Sequence, residues 1–426
     1  MDEPGTVFYL IPENEEALEI VDHEANSSRR RVDPSNVSRR FLRIGLDQPA
    51  KIPSRLVTFG RFHFTNDIIL HKFPNTDQCY FDFHPITGEL LLHDISKDDD
   101  TQLFKIGKDN KKAEEQICTS PRRCVVLLDK EWIFEIDKAV FRLIPRRAAT
   151  DQDNAAFASE RLAFVHQIPD EFRTFEWTIE RLDAMGIQSD RSTMTGKGYN
   201  LRRRHPDGLK PGEELRCVER ALLGSGGQGD VHRVVHLDTG DHYAQKTIRW
   251  RVMPEWGIYN ESDYKARLLK EVNLVKKAAH PNIVPYLFHQ GWELGKKVKL
   301  FMPVYDGNLY TLLRHLRHTA PDVIHSTIER MLHKMLLVLD HVHKQGIIHR
   351  DIKPANILFR GGDFFLTDFG VAKFVDKSVT LMGTEWYAAP EVLLQYAEQT
   401  PEVDIYSLGA TLVDCYGGGI ANFRHT

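Results

Sequence analysis

The sequence predicts a multidomain protein in which an all-β sandwich is followed by an α+β unit. Residues 36–147 hold short apolar runs separated by turn residues roughly every ten positions, a pattern typical of a β-sandwich. Residues 215–426 begin with strand patterns and continue with amphipathic helical patterns. The stretch between them, 148–214, is predicted to be a partly helical linker. The charged residues 1–35 are predicted to be disordered.

Length and composition leave room for more than one folded domain. The chain has 426 residues, of which 42% are hydrophobic, so sizeable cores can form. Its net charge of −4 argues against direct nucleic-acid binding, and no apolar run reaches the ~20 residues of a membrane-spanning helix. The five cysteines form no CxxC pair, and the N-terminus lacks a signal-peptide pattern. A cytoplasmic or nuclear location is therefore expected.

A glycine-rich segment near the start of the α+β unit has the spacing G-x-G-x-x-G-x-V. Because glycine has no Cβ, its backbone amides can approach phosphate oxygens closely. A dinucleotide site would place a helix directly after this segment, whereas here a strand, a turn and a second strand follow. This order predicts a hairpin that covers a nucleotide. The candidate contacts are Gly224, Ser225, Gly226, Gly229 and Val231.

A lysine in the next strand pattern has a candidate acidic partner. Lys246 lies where a lysine would grip the α- and β-phosphates, and Ala244 beside it is a further candidate nucleotide contact. The alternative is an ordinary surface lysine. Residues 266–279 predict a helix, and Glu271 sits beside its apolar stripe, so we expect a Lys246–Glu271 ion pair. The stripe consists of Leu268, Val272, Val275 and Ala279.

A run of polar residues follows a long amphipathic helical pattern. The run HRDIKPAN contains Asp351, Lys353 and Asn356, and the later run TDFG contains Asp368. Phosphoryl transfer depends on positioning and charge neutralisation more than on covalent chemistry. Asp351 can accept a hydroxyl hydrogen, and Lys353 can neutralise the γ-phosphate. Asn356 and Asp368 carry the oxygen ligands that suit Mg²⁺.

These motifs in this order resemble the eukaryotic protein kinase family, and the resemblance covers residues 215–426. The lysine two residues after Asp351 and the run GTEWYAAPE are similar to the serine/threonine branch. The resemblance implies ATP and Mg²⁺ as cofactors and protein serine or threonine hydroxyls as substrates. It also implies an adenine-binding hinge that includes Met302, Pro303 and Tyr305.

The segment between the TDFG and APE runs contains three hydroxyl side chains, those of Ser378, Thr380 and Thr384. The family resemblance places Thr384 near Asp351. Arg350 is a candidate partner for a phosphate on this segment, which makes Ser378 or Thr380 a candidate activating phosphosite.

The helical lobe of the second unit is expected to be incomplete. Asp404 matches the family aspartate that braces the catalytic run from a central helix, and only a short stretch of chain follows it. Members of the family normally continue through further helices, which supply an arginine partner for Glu391. The resemblance therefore predicts a lobe that ends early.

The first unit resembles the forkhead-associated (FHA) domain, a reader of phosphothreonine. The resemblance rests on short runs such as GR at residue 60, ND at residue 66 and TGEL at residue 87. It implies that Arg61 and Asn75 lie at the phosphate site, since arginine forms strong charge-assisted bonds with phosphate. Residues 98–100 are aspartates at the place where the phosphate would approach, so a structural or docking sandwich is the alternative.

Two functions remain open from the sequence. The first is an active serine/threonine kinase, whose domain order resembles the checkpoint-type signalling kinases. The second is a catalytically weak phosphopeptide-binding or scaffold protein. The complete set of catalytic residues favours the first, and the early end of the helical lobe favours the second. Proteins that carry phosphothreonine are expected partners of the FHA-like domain.

Overall fold

The chain is described by a computed structural model, in which contacts divide it into two units. The first unit comprises Met1–Val218 and Val235–His242, and the second comprises Glu219–Val234 and Tyr243–Thr426. The described residues are 3–72, 77–96, 100–106, 112–116, 123–148, 150–168, 214–226, 229–250, 260–293, 295, 297–316, 321–369, 373–374, 386–394 and 399–417. Within these ranges, no helix is both long and apolar enough to cross a membrane.

Two β-sheets form most of the first unit. Its strands are β1 (Thr6–Pro12), β2 (Arg30–Asp33), β3 (Asn36–Gly45), β4 (Val57–Gly60), β5 (Ile68–Ile69), β6 (Asp77–Phe83), β7 (Leu90–Asp94), β8 (Thr101–Ile106), β9 (Lys112–Gln116), β10 (Arg123–Val125), β11 (Trp132–Ile136) and β12 (Ala139–Pro145). One sheet has the order β2-β3-β1-β12-β11-β8-β9, and the other has the order β10-β7-β6-β4-β5. The strands β4 and β5 pair in parallel, whereas β1 pairs antiparallel with both of its neighbours.

Aromatic side chains from both sheets share one core. Phe8 of β1 and Phe134 of β11 contact Phe81 of β6, with ring centroids 5.0 and 5.4 Å away. Phe59 of β4 lies 5.8 Å from Phe134 in an edge-to-face arrangement, which aromatic rings prefer. Two sheets that bury a common apolar core are the predicted β-sandwich.

The prediction of disorder for residues 1–35 is wrong. Strand β1 lies between β3 and β12, in the middle of the seven-stranded sheet. Its Val7, Phe8 and Leu10 side chains are fully buried in the sandwich core. The N-terminal segment is ordered because a central strand satisfies its backbone hydrogen bonds on both edges.

The acidic run that suggested disorder forms helix α1 (Glu15–Asp22). Its charges cover the exposed face, while Ala17, Ile20 and Val21 are buried. The Asn14 side chain caps the helix by accepting a hydrogen bond from the Ala17 N–H at 3.1 Å. The charge pattern is therefore that of an amphipathic surface helix.

The start of the predicted linker packs on the sandwich. Helix α2 (Asp151–Gln167) begins at a capping box formed by Thr150 and Asp153. Its Phe157 and Val165 side chains are buried in the core of the first unit. The helix lies near the N-terminal end of the predicted linker, and residues 169–213 lie outside the described ranges.

From Cys217 onward the chain alternates between a β-rich part and a helical part. The strands are β13 (Cys217–Gly226), β14 (Gly229–His236), β15 (His242–Ile248), β16 (Phe288–Gln290), β17 (Val298–Met302), β18 (Gly307–Asn308), β19 (Ile347–Ile348), β20 (Ile357–Arg360), β21 (Asp363–Leu366) and β22 (Lys373–Phe374). The helices are α3 (Glu261–Lys277), α4 (Leu309–Leu316), α5 (Pro321–Lys344), α6 (Pro390–Leu394) and α7 (Glu402–Gly417). The largest of these sheets has the order β13-β14-β15-β17-β16.

The two predicted amphipathic helices are α3 and α5. Helix α3 ends at Lys277, so Ala279 is exposed beyond it and Ala278 takes the predicted buried position. Because Pro281 disfavours helical backbone in the residue before it, the helix cannot continue. Helix α5 buries an apolar stripe that includes Ile328, Met335, Leu339 and Val342, and Leu332 beside it is half-buried.

We expect Leu10→Ala to lower the free energy of unfolding by about 2–5 kcal/mol, because it leaves a cavity in the sandwich core. Urea titration of the full chain, followed by tryptophan fluorescence and circular dichroism, measures this loss. The control is Val37→Ala on β3, whose side chain is 78% exposed and should be close to neutral. Equal midpoints for both variants would contradict the placement of β1 in the core.

Candidate active site

The glycine-rich segment joins strands β13 and β14, as predicted. Ser225 Oγ donates a hydrogen bond to Asp230 Oδ1 at 2.6 Å across the turn. Gly229 has a φ of +146°, and a Cβ there would lie 2.2 Å from the Thr247 carbonyl oxygen. No other residue type fits this position, since both the backbone conformation and the close approach of β15 require glycine. Gly224 and Gly226 lie at the end of β13, and Val231 lies on β14.

The candidate adenine contacts lie together on neighbouring strands. Ala244 of β15 pairs in register with Met302, the last residue of β17. Pro303 and Tyr305 follow directly on the chain and are half-buried. The Tyr305 ring packs 4.9 Å from the Phe365 ring, which fixes the path of the hinge backbone.

Lys246 forms its ion pair with Asp368. The Lys246 Nζ donates to Asp368 Oδ1 at 3.0 Å, and the lysine is 8% exposed. Burial by itself would lower the pKa of Lys246, but the carboxylates of Asp368 and Glu271 outweigh it and raise that pKa. For Asp368, burial would raise the pKa, and Lys246 holds it below its usual value. Both groups therefore stay charged at neutral pH.

The expected direct bond between Lys246 and Glu271 is replaced in the structure. The Glu271 carboxylate accepts a hydrogen bond from the Tyr286 hydroxyl at 2.6 Å. Burial raises the pKa of Glu271, whereas the nearby Lys246 ammonium opposes that rise. The prediction of a Lys246–Glu271 ion pair is therefore wrong, because the short contacts run from Tyr286 to Glu271 and from Lys246 to Asp368.

The catalytic run holds one carboxylate between two donors. Lys353 Nζ lies 2.8 Å from Asp351 Oδ2, and Asn356 Nδ2 donates to the same oxygen at 2.9 Å. Asn356 Nδ2 also donates to the Asp351 carbonyl at 2.8 Å. These bonds fix the rotamer of Asp351 and bring the three predicted residues together.

A buried carboxylate supports the catalytic run from below. Asp404 at the start of α7 is fully buried and accepts hydrogen bonds from the backbone N–H groups of His349 and Arg350 at 2.8 and 2.7 Å. His343, in the last turn of α5, lies with Nε2 2.8 Å from Asp404 Oδ2. Asp404 braces the loop as the resemblance implied. The sequence reasoning missed His343, whose only signal is a polar residue at the C-terminal end of an apolar stripe.

The oxygen atoms of Asp368 and Asn356 fit a magnesium site. Asp368 has a φ of +66°, a conformation uncommon outside glycine that turns its carboxylate toward Lys246. Asn356 uses its amide nitrogen for Asp351, which leaves its neutral oxygen available as a ligand. Within the described ranges, no group of three or more His, Cys, Asp or Glu could hold a metal ion. Two oxygen ligands suit Mg²⁺, which takes its other ligands from phosphates and water.

Several predicted positions cannot be placed. Ser378, Thr380 and Thr384 lie outside the described ranges, and so does Asn75 of the first unit. Arg61 is described and is exposed on the loop after β4, with its guanidinium 5.5 Å from the Phe62 ring centre. Glu391 lies in the first turn of α6.

The second part of the chain is similar to a known family. Residues 217–421, just under half of the chain, match the protein kinase domain family. The matched range includes the glycine segment, Lys246, Glu271 and the catalytic run, and it supports the predicted kinase class. The roles of the individual residues stay predictions. Because the match begins at residue 217, it leaves the family of the β-sandwich open.

Three relatives have names that indicate kinases. Sperm motility kinase 3A of Mus musculus is 35% identical over 221 residues, which cover 51% of this chain and 41% of the relative. A probable serine/threonine-protein kinase of Dictyostelium discoideum is 31% identical over 46% of this chain and 36% of its own length. The cyclin-dependent kinase 4 homolog of Caenorhabditis elegans is 35% identical over 46% and 48%. The chain spans less than half the length of these relatives. The names support the prediction of a protein serine/threonine kinase.

Asp404→Ala should destabilise the kinase domain by about 3 kcal/mol, because two buried N–H groups lose their acceptor. Thermal and urea unfolding measure the loss, and hydrogen exchange should accelerate at the His349 and Arg350 amides. Asp340→Ala is the control, since this α5 carboxylate is exposed and pairs with exposed Lys344. Unchanged exchange at both amides in the Asp404 variant would refute the bracing role.

Proposed function

We propose that the chain is an ATP-dependent protein kinase that uses Mg²⁺ and transfers the γ-phosphate to protein serine or threonine hydroxyls. One observation carries the proposal. The buried Lys246–Asp368 ion pair and the Asp351 carboxylate, held by Lys353 and Asn356, form the arrangement of charge that phosphoryl transfer needs.

Each residue has a separate task in the proposed reaction. Asp351 accepts the hydrogen of the substrate hydroxyl, and the hydroxyl oxygen forms a bond to the γ-phosphorus. The bond from that phosphorus to the bridging oxygen breaks, and ADP leaves with its electron pair. Lys353, 2.8 Å from Asp351, stabilises the charge on the transferred group.

The remaining residues hold the nucleotide. Lys246 binds the α- and β-phosphates, and the amides of the glycine segment cover them. Asp368 and Asn356 would hold Mg²⁺, which neutralises phosphate charge when bound. Ala244 and Met302 line the proposed adenine pocket, with the hinge backbone after them.

Asp368→Asn should reduce phosphate transfer at least about 100-fold, because the metal-binding charge is lost while the shape is kept. The measurement is transfer of labelled γ-phosphate to the protein itself and to a mixed serine/threonine peptide set, in Mg²⁺-ATP. The matched control is Asp363→Asn on β21, whose carboxylate is half-exposed and pairs with Lys334. A folded wild-type chain that transfers no phosphate would favour the alternative, a scaffold protein.

We further propose that the β-sandwich is an FHA-like phosphothreonine reader, which would place the kinase in a signalling pathway of the checkpoint type. Three features of the loop after β4 support this. Arg61 is exposed on it, the Asn66 side chain donates to the Phe62 carbonyl at 3.1 Å, and Asp67 accepts from Thr58 Oγ1 at 2.8 Å. These hydrogen bonds within the loop fix its backbone and therefore limit the positions that Arg61 can take, which favours anion binding. Protein partners with phosphothreonine and a cytoplasmic or nuclear location follow from this proposal.

Arg61→Ala should weaken binding of a phosphothreonine peptide library about tenfold or more, because a charge-assisted contact is lost. Fluorescence anisotropy with phosphorylated and unphosphorylated forms of each peptide provides the measurement. Arg147→Ala, at an arginine whose side chain is 83% exposed, is the control and should bind like wild type. If wild type does not distinguish the two peptide forms, the sandwich is a docking or structural domain.

A further inference from the structure

Tyr286 stands between three parts of the kinase domain. It lies on the segment that joins α3 to β16, and only 8% of its surface is exposed. Its hydroxyl donates to the Glu271 carboxylate on α3 at 2.6 Å. A hydrogen bond to a charged acceptor is about twice as strong as one between neutral groups. No nucleotide contact was predicted at this position.

The segment that carries Tyr286 is anchored on both sides. Before it, the Val284 N–H donates to the Leu366 carbonyl on β21 at 2.9 Å, and the Asn282 side chain donates to the Phe364 carbonyl at 2.9 Å. After it, the Leu287 N–H donates to the Phe301 carbonyl on β17 at 2.8 Å. Tyr286 is therefore a fixed donor, tied to the strand that leads to Asp368 and to the strand that leads to the hinge.

The Glu271 carboxylate can bind Lys246 as well as Tyr286. A carboxylate offers about four lone-pair sites on two oxygens. Tyr286 occupies Oε1, while Lys246 is bonded to Asp368. The Lys246 ammonium attracts the Glu271 carboxylate, and this attraction opposes the rise in the Glu271 pKa that burial causes. Glu271 can therefore accept a hydrogen bond from Lys246 while it remains bonded to Tyr286.

We propose that Tyr286 is a positioning residue of the nucleotide site, which holds the Glu271 carboxylate in place for Lys246. The inference rests on the proposed kinase function and deepens it. Without the hydroxyl, Glu271 keeps its place on α3 but loses the donor that orients it. Lys246 is then less well held against the α- and β-phosphates. The effect falls on nucleotide binding more than on the transfer step, since these phosphates are bound in both the ground state and the transition state.

The charge on Glu271 gives the proposal a pH signature. The groups that face it are Lys246 from β15, Asp368 from the chain after β21, Arg267 from its own helix and Tyr286. Burial raises the pKa of Glu271, and the bond from Tyr286 opposes that rise. Removal of the hydroxyl raises the pKa of Glu271 further, so the fraction of ionised carboxylate falls on the acid side of neutrality.

The test is Tyr286→Phe, which keeps the ring in the core and removes one oxygen atom. We expect the KM for Mg²⁺-ATP, and the Kd from direct ATP titration, to rise about tenfold, with kcat within about twofold. The acid limb of kcat/KM should move to higher pH. In a Glu271→Gln background the same substitution should have no further effect, because the two groups act as one unit.

Controls separate positioning from general stability. Tyr416→Phe removes a hydroxyl that lies 2.9 Å from His325 Nδ1 on the helical part, and it should leave KM and the pH profile unchanged. A wild-type KM, Kd and pH profile in Tyr286→Phe would overturn the inference, and so would an equal loss in the Glu271→Gln background. If wild type binds Mg²⁺-ATP but transfers no phosphate, the proposed kinase function fails, and the Kd comparison still decides the role of Tyr286.

Discussion

The position of the catalytic loop depends on one buried carboxylate. Both oxygens of Asp404 are hydrogen-bonded, to the backbone N–H groups of His349 and Arg350 and to the imidazole of His343. Arg350 has a φ of +71°, which is costly for a residue with a side chain and persists only when the surroundings impose it. The bonds from Asp404 supply that constraint. The turn they stabilise is followed at once by Asp351, so the catalytic carboxylate begins from a fixed backbone.

A second constraint joins the two ends of the nucleotide site. The chain from Asn282 to Leu287 bonds to β21 on one side and to β17 on the other. These strands lead to Asp368 and to the hinge residues. Helix α3 directly precedes this segment. The same short piece of backbone therefore supports the elements that carry Glu271, Asp368 and the adenine pocket. Such shared support is what a site needs to keep charged groups within hydrogen-bond distance.

Much of this site could be predicted from local pattern. The two neighbouring glycines at residues 361–362 both have positive φ, and they form the turn of the hairpin between β20 and β21. Helical periodicity predicted α3 and α5, and it placed the C-terminal end of α3 to within two residues, because apolar spacing and stop signals act over short distances. The same reasoning failed for residues 1–35. There the acidic side chains suggest disorder, whereas the buried apolar residues of β1 and α1 determine the structure.

The order of residues establishes which chemical groups are available, since glycine conformation, helix periodicity and motif spacing are properties of a few neighbouring residues. The pairing of these groups depends on the three-dimensional fold. Lys246 and Asp368 are 122 residues apart, and whether the lysine bonds to Asp368 or to Glu271 depends on how α3 packs. Which buried charges pair depends on the distance between them and on their desolvation, and neither follows from the order of residues along the chain.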